Sequence, residues 1–333
     1  MLINDFLSHS KRILVGSGPE SIEELNGYLY SGLKNGSLVQ LNPTTGETVI
    51  IYAPESKTCG GDEYEHICGR ILGIRKYSDK ELIFVEAYSG LYKFNVETKT
   101  IIQLIAANDT RFDNRPLRFI NDLDILDKQY IFFTDSDWLY PRRNFVSTLL
   151  RSNPRGRLIR YDIINGKVRT FNNQLSFPNG VQLTVDQQAV LICETSLARI
   201  MRFWINGPKT GKTDIFIENL PGICDNIRMT ERKTYWIAFA AVRSLMKPTL
   251  VDRLRTWPLL RTLISYFPSW ILNYFMHSSR HGLVIEVDNN GQILRSLHDP
   301  EGINIPSTSQ VTEYNGYLYF GSYYLPYIGA FKL

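Results

Sequence analysis

Long runs of one charge sign are absent from the 333 residues. The formal net charge of +4 is spread along the chain, and no block of Lys or Arg forms the footprint of a nucleic-acid-binding tail. Uninterrupted apolar runs of roughly 18 residues are also absent, so no segment reads as a membrane-crossing helix. The opening "MLINDFLSHSKRILVG" lacks the basic head and apolar stretch of a secretory signal. Cysteine is scarce, with four residues and no Cys-x-x-Cys spacing, which argues against zinc. What remains is 44% hydrophobic and 12% aromatic, enough to bury a large core, which excludes a disordered chain.

Cys59 and Cys68 flank the polar, Gly-rich "CGGDEYEHIC". They either close it as a small disulfide loop or stand as two reduced thiols. Cys193 and Cys224 read as buried small hydrophobes. Two sequons, Asn35 in "NGS" and Asn108 in "NDT", are glycosylation candidates if the chain enters the secretory pathway.

Short runs rich in Tyr, Ile, Phe and Val, separated by Gly, Asn and Asp turns, recur along the chain and place it in the all-β class. A phrase of about four strands repeats, as in "GYLYSGLKNGSLVQLNPTTGETVII" and "KELIFVEAYSGLYKFNVETKTIIQL". Copies of roughly 30 to 50 residues are the pattern of a β-propeller, in which radial repetition hides the sheet edges. Six blades are counted, forming one domain over residues 1–333. The last copy, "GYLYFGSYYLPYIGAFKL", is short, so the N-terminal "KRILVG" is expected to complete it.

Residues 244–280 break the pattern. Leu, Trp, Ile and Phe at helical spacing, punctuated by Pro248, Pro258 and Pro268, read as a helical insertion in the fifth blade. Such helices would either pack over the propeller face as a cap or dip into a membrane surface, with Arg253, Arg255 and Arg261 at headgroup level.

The segment "FINDLDI" places Asn121 and Asp122 inside a strand, where both residue types are depleted. The next repeats begin "FPNGVQL" and "CDNIRMT", and Asn121, Asn179 and Asn226 lie 58 and 47 residues apart, close to one blade each, with Asp225 beside the last. First strands line a propeller's central channel, so these oxygens should converge on the axis. "GPESI" adds Glu20 at the same phase. An oxygen-rich set without His or Cys suits a hard cation such as Ca2+, one ion in the tunnel, with Glu20 and Asp225 balancing its charge. The bland alternative is Asn residues bridging blades around a trapped water.

"GPESI", "FINDLDI", "FPNGVQL", "CETSLARIMRFWINGPKTGKTDIFIENLPGICDNIR" and "RSLHDPEG" together resemble the strictosidine synthase-like family. The resemblance implies a six-bladed propeller of the kind shared with calcium-dependent paraoxonases. Its ligand positions fall on Glu20, Asn121, Asn179, Asp225 and Asn226. It further implies an arylesterase-like or lactonase-like hydrolase of small apolar esters, and residence in the secretory pathway or at a membrane, although this chain shows no signal peptide or membrane span. The departures are specific. The paraoxonase histidine pair is replaced at Leu72 and Ala87. The strictosidine synthase glutamate is replaced at Ser309, which removes the expectation of that condensation. Ser21 replaces an Asp that would support a second ion.

No general base stands out. Asp122 is a weak candidate, read first as support for Asn121. His281 would face the tunnel mouth and Glu86 would reach the tunnel from the second blade, whereas His66 and His298 are expected away from the axis. The competing reading is a non-catalytic, membrane-associated or partner-binding propeller in which the metal is structural.

Overall fold

The computed structural model describes residues 2–55, 59–243, 248–276 and 280–333. Both ends of the expected insertion, at 244–247 and 277–279, therefore lie outside the described residues. Six four-stranded antiparallel sheets follow one another around a ring. Their first strands are Ile22–Leu25, Ile71–Lys76, Ile120–Leu126, Pro178–Leu183, Gly222–Met229 and Gln310–Tyr314, and each meets its counterparts in the adjacent blades. The sixth sheet is completed by Lys11–Leu14, which pairs antiparallel with Tyr327–Lys332, Lys11 opposite Ala330 and Leu14 opposite Tyr327. "KRILVG" thus closes the ring by joining both ends of the chain in one sheet.

Burial explains the strand composition. Second strands such as Tyr130–Asp135 and Ala189–Glu194 are buried on both faces, and outer strands such as Thr48–Tyr52 are half exposed. Where a first strand would carry polar residues into the channel, the ladder slips. Register shifts fall between Ile71 and Ile74, Ile120 and Leu123, Pro178 and Val181, and Cys224 and Ile227. These are β-bulges, each turning two residues out of the regular pleat.

Five short helices interrupt the strands among the described residues: α1 (Glu65–Cys68), α2 (Phe145–Arg151), α3 (Leu250–Arg253), α4 (Pro258–Ile264) and α5 (Ser269–Met276). The last three form the insertion, between the second and third strands of blade five. Thr249 caps α3 by accepting the Asp252 N–H at 3.2 Å, and Pro258 opens α4, where a missing N–H costs nothing. Sequence reading passed over α2, which occupies the same place in blade three and packs on α4 and α5. The Ser147 hydroxyl donates to the Ser265 carbonyl at 2.8 Å, while Leu254 and Leu272 enter the cluster that holds Leu149, Phe119 and Ile223. One side of the insertion is therefore a packed cap.

Cys59 and Cys68 form a disulfide that closes the loop carrying α1, and Cys193 and Cys224 are buried free thiols. Of the two sequons, Asn108 is exposed in a turn, whereas Asn35 is half-buried and accepts the Ser37 N–H at 3.1 Å. In blade five, His281 Nε2 and His298 Nδ1 lie 3.0 Å apart. Burial and the neighbouring His281 push the His298 imidazole down to about 4.

Unfolded, non-reduced protein should expose two titratable thiols per chain, those of Cys193 and Cys224; four would exclude the bridge. The His pair gives an acid dependence. Unfolded His298 takes a proton near pH 6.5 and the folded residue only near 4, so the unfolded state binds more protons in between. The melting temperature should therefore fall as pH drops from about 6.5 towards 4, and His298→Gln should flatten that slope.

Candidate metal centre at the tunnel mouth

The bulges answer why "ND" stands in a strand. They place Leu72, Asn121, Asn179 and Asp225 at one level of four consecutive blades, and Gly73, Asp122, Gly180 and Asn226 at the next. The register therefore matches Asp225, not Asn226, with Asn121 and Asn179, a one-residue difference from the spacing argument. Glu20 lies two residues before the first strand of blade one, and Ser309 immediately precedes that of blade six. Close approach between first strands requires the glycines: a Cβ on Gly73 would sit 2.4 Å from Asp122 Oδ1, and one on Gly180 2.5 Å from Asn226 Cα.

Glu20, Asn121, Asn179 and Asp225 line a cavity of about 40 Å³. Its remaining wall is chiefly apolar, with Phe119, Phe145, Leu149, Phe177 and Ile223, and it includes Arg142 and Tyr323. The Oδ1 atoms of Asn121, Asn179, Asp225 and Asn226 are all buried without a hydrogen-bond partner. Nitrogen is not the problem, since Asn121 Nδ2 donates to Ser136 Oγ at 3.0 Å. Each orphaned oxygen would cost on the order of 1–3 kcal/mol. Among the described residues no group of three or more His, Cys, Asp or Glu is arranged to hold a metal. The donors here are mainly amide oxygens, and an all-oxygen set fits a hard cation. Burial, then the nearby Glu20 charge, hold the Asp225 carboxyl well above the usual carboxylate range.

The charge environment is richer than the sequence indicated. Arg70, fully buried, donates to Glu20 Oε2 at 2.8 Å and to the Tyr323 carbonyl at 3.1 Å. Arg142 pairs with Glu65 of α1 at 2.9 and 3.2 Å and approaches Glu20 to 3.8 Å. Glu20 and Asp225 thus do not balance a divalent ion alone. Neither arginine carried a readable signal: Arg142 lies in a short helical turn between the second and third strands of blade three, and Arg70 stands at the repeat phase that Phe119 and Phe177 fill in other blades.

The weak catalytic candidates do not gather there. Both Asp122 oxygens are taken by Arg228, at 2.7 and 2.9 Å, and Oδ2 also accepts the Val181 N–H at 2.9 Å. Glu86, expected to reach the tunnel, ends its strand facing a turn and accepts N–H groups from Arg70 and from Ser89, the latter at 2.7 Å. Asp135 and Glu194 do the same for Phe119 at 2.9 Å and Ser176 at 2.8 Å, so a carboxylate at this strand end fastens the chain before the blade's first strand. His281, expected at the mouth, is not among the cavity residues and instead meets His298. Leu72 and Ala87 are buried in the apolar cluster. Ser309 donates to the Glu20 carbonyl at 2.6 Å, and Ser21 to Gln310 Oε1 at 2.6 Å.

The family model for strictosidine synthase matches residues 121–208. The chain is 38% identical over 314 residues to the adipocyte plasma membrane-associated protein of Danio rerio, covering 93% of this chain and 74% of that one. It is 32% identical over 330 residues to strictosidine synthase-like protein 10 of Arabidopsis thaliana, covering 95% and 86%. Among solved structures it resembles a gluconolactonase from Xanthomonas campestris, with TM-score 0.63 and 13% identity over 98% of this chain and 91% of that one. It also resembles the calcium-binding protein regucalcin from Agrobacterium tumefaciens, with TM-score 0.59 and 13% identity over 96% and 90%. The structural likenesses speak to the six-bladed fold. Relatives of this identity, aligned over almost the whole chain, place it in the strictosidine synthase-like family.

Proposed function

We propose that the protein is a calcium-dependent hydrolase of small apolar esters or lactones. One observation carries the reading: Asn121, Asn179 and Asp225, each with a buried Oδ1 that no donor satisfies, line one cavity walled by aromatic and aliphatic side chains. Glu20, Asn121, Asn179, Asp225 and Asn226 would hold the ion, which when bound supplies Lewis-acid polarisation of a substrate carbonyl. The residues of the chain do the rest. Phe119, Phe145 and Phe177 exclude water and receive the apolar part of the substrate. Arg142, held by Glu65, adds fixed positive charge at the mouth, where negative charge grows as an ester is attacked. Asp122 and Glu86 are fully engaged as structural acceptors and carry no proton-transfer role. The fold neighbours described as a gluconolactonase and as calcium-binding support this choice of ion and reaction class.

The apolar Leu72 and Ala87 favour a second reading, in which the ion only joins the blades and the propeller serves as a binding module.

Purified protein loaded with calcium should hydrolyse phenyl acetate or δ-valerolactone, and a chelator-treated sample should fall to background. Hydrolysis that persists undiminished after chelation overturns the proposal. Calcium should also raise the melting temperature by a few degrees at concentrations about 100-fold above its dissociation constant. Asn179→Ala should abolish that rise and lower hydrolysis by tenfold or more, about the loss seen when a metal site is disturbed. A calcium-dependent rise in a protein without hydrolysis selects the second reading.

A further inference from the structure

The insertion has a side that the propeller does not cover. Helices α4 and α5 and their connections expose Trp257, Leu259, Leu263, Tyr266, Phe267 and Trp270, with Leu259 82% and Trp270 74% accessible. Soluble surfaces seldom gather large apolar residues so densely. The inward side of the same segment is satisfied, since Leu254 and Leu272 are buried in the core. The helices therefore bury one set of side chains and present another.

Charge identifies what the exposed set meets. Between Asp252 and Glu286 the sequence holds four Arg and no acidic residue. Among the described residues, Arg255 and Arg261 make neither an ion pair nor a side-chain hydrogen bond. Both line a recess of about 370 Å³ between blades four and five, which also holds Glu218 and where Arg243 is already paired with Asp252 at 2.9 Å. Two cations without an ion pair, in a segment that exposes Trp, Tyr and Leu, match an interface of apolar chains under anionic headgroups. Of the two carboxylates in that recess Asp252 is taken by Arg243, and neither Asp252 nor Glu218 pairs with Arg255 or Arg261, which leaves both cations for an anionic surface.

We infer that this helical insertion docks the propeller on a lipid bilayer carrying anionic headgroups, with Trp270 and Leu259 inserted and Arg255 and Arg261 at the surface. Among the described residues no helix is long and apolar enough to cross a membrane, so the contact is interfacial. The inference stands apart from the hydrolase reading, because it uses none of the tunnel residues.

The test is flotation of the purified protein with vesicles of phosphatidylcholine alone or with one-fifth phosphatidylserine. Binding should require phosphatidylserine and weaken at high salt. Arg255→Gln and Arg261→Gln should each lower the apparent affinity about fivefold at low salt. Leu259→Ser with Trp270→Ser should lower it about tenfold or more at any salt, with the melting temperature unchanged because both side chains are exposed. No flotation, or flotation indifferent to all four substitutions, overturns the inference. So does a concentration-dependent dimer in light scattering that Trp270→Ser dissociates, since a second copy would then cover the surface.

Discussion

The Oδ1 atoms of Asn121, Asn179, Asp225 and Asn226 are buried together with no donor to satisfy them. In water each would hold hydrogen bonds, and in the propeller each has lost them. Asn121, Asn179 and Asp225 line one cavity, while carboxylates just below it are satisfied. Asp122 is saturated by Arg228 and the Val181 N–H, and Asp124 accepts from Gln182 and Leu183 at 2.8 and 2.7 Å. A fold able to satisfy those carboxylates leaves the Asn121, Asn179 and Asp225 oxygens open where the cavity begins.

The surrounding devices keep them there. Bulges turn two residues per strand away from the pleat, and glycines at alternate bulges let neighbouring strands close up. Carboxylates at the ends of three second strands fasten the chain just before the first strands of their blades. The Cys59–Cys68 loop holds Glu65, Glu65 holds Arg142, and Arg142 faces Glu20. A disulfide at the rim is thereby coupled to the electrostatics of the mouth through a short chain of contacts.

The helical insertion links this centre to the outer surface. Through Ser265 it packs on α2, and α2 supplies Phe145 and Leu149 to the cavity wall. Its other side remains apolar and basic. The segment that interrupts the repeat thus shapes the mouth while supplying a surface of different chemistry from the blades.

Strand count, blade number, ring closure by "KRILVG" and the site of the insertion were legible because hydrophobic periodicity and turn residues are local signals that a repeat multiplies. The recurrence of Asn121, Asn179 and Asp225–Asn226 was legible for the same reason. Bulge register was not, and it moved the phase from Asn226 to Asp225, because an extra residue in a ladder is decided by pairing across strands. Arg142 and α2 were missed because they interrupt blade three with no repeat to mark them, and Arg70 because the repeat carries Phe119 and Phe177 at its phase. Glu86 and His281 were drawn to the axis on sequence position, yet hydrogen bonding assigned Glu86 to a turn and His281 to His298. Which oxygens recur is written in the repeat; which of them meet, and what neutralises them, depends on packing, because convergence and compensation are properties of contacts between distant segments.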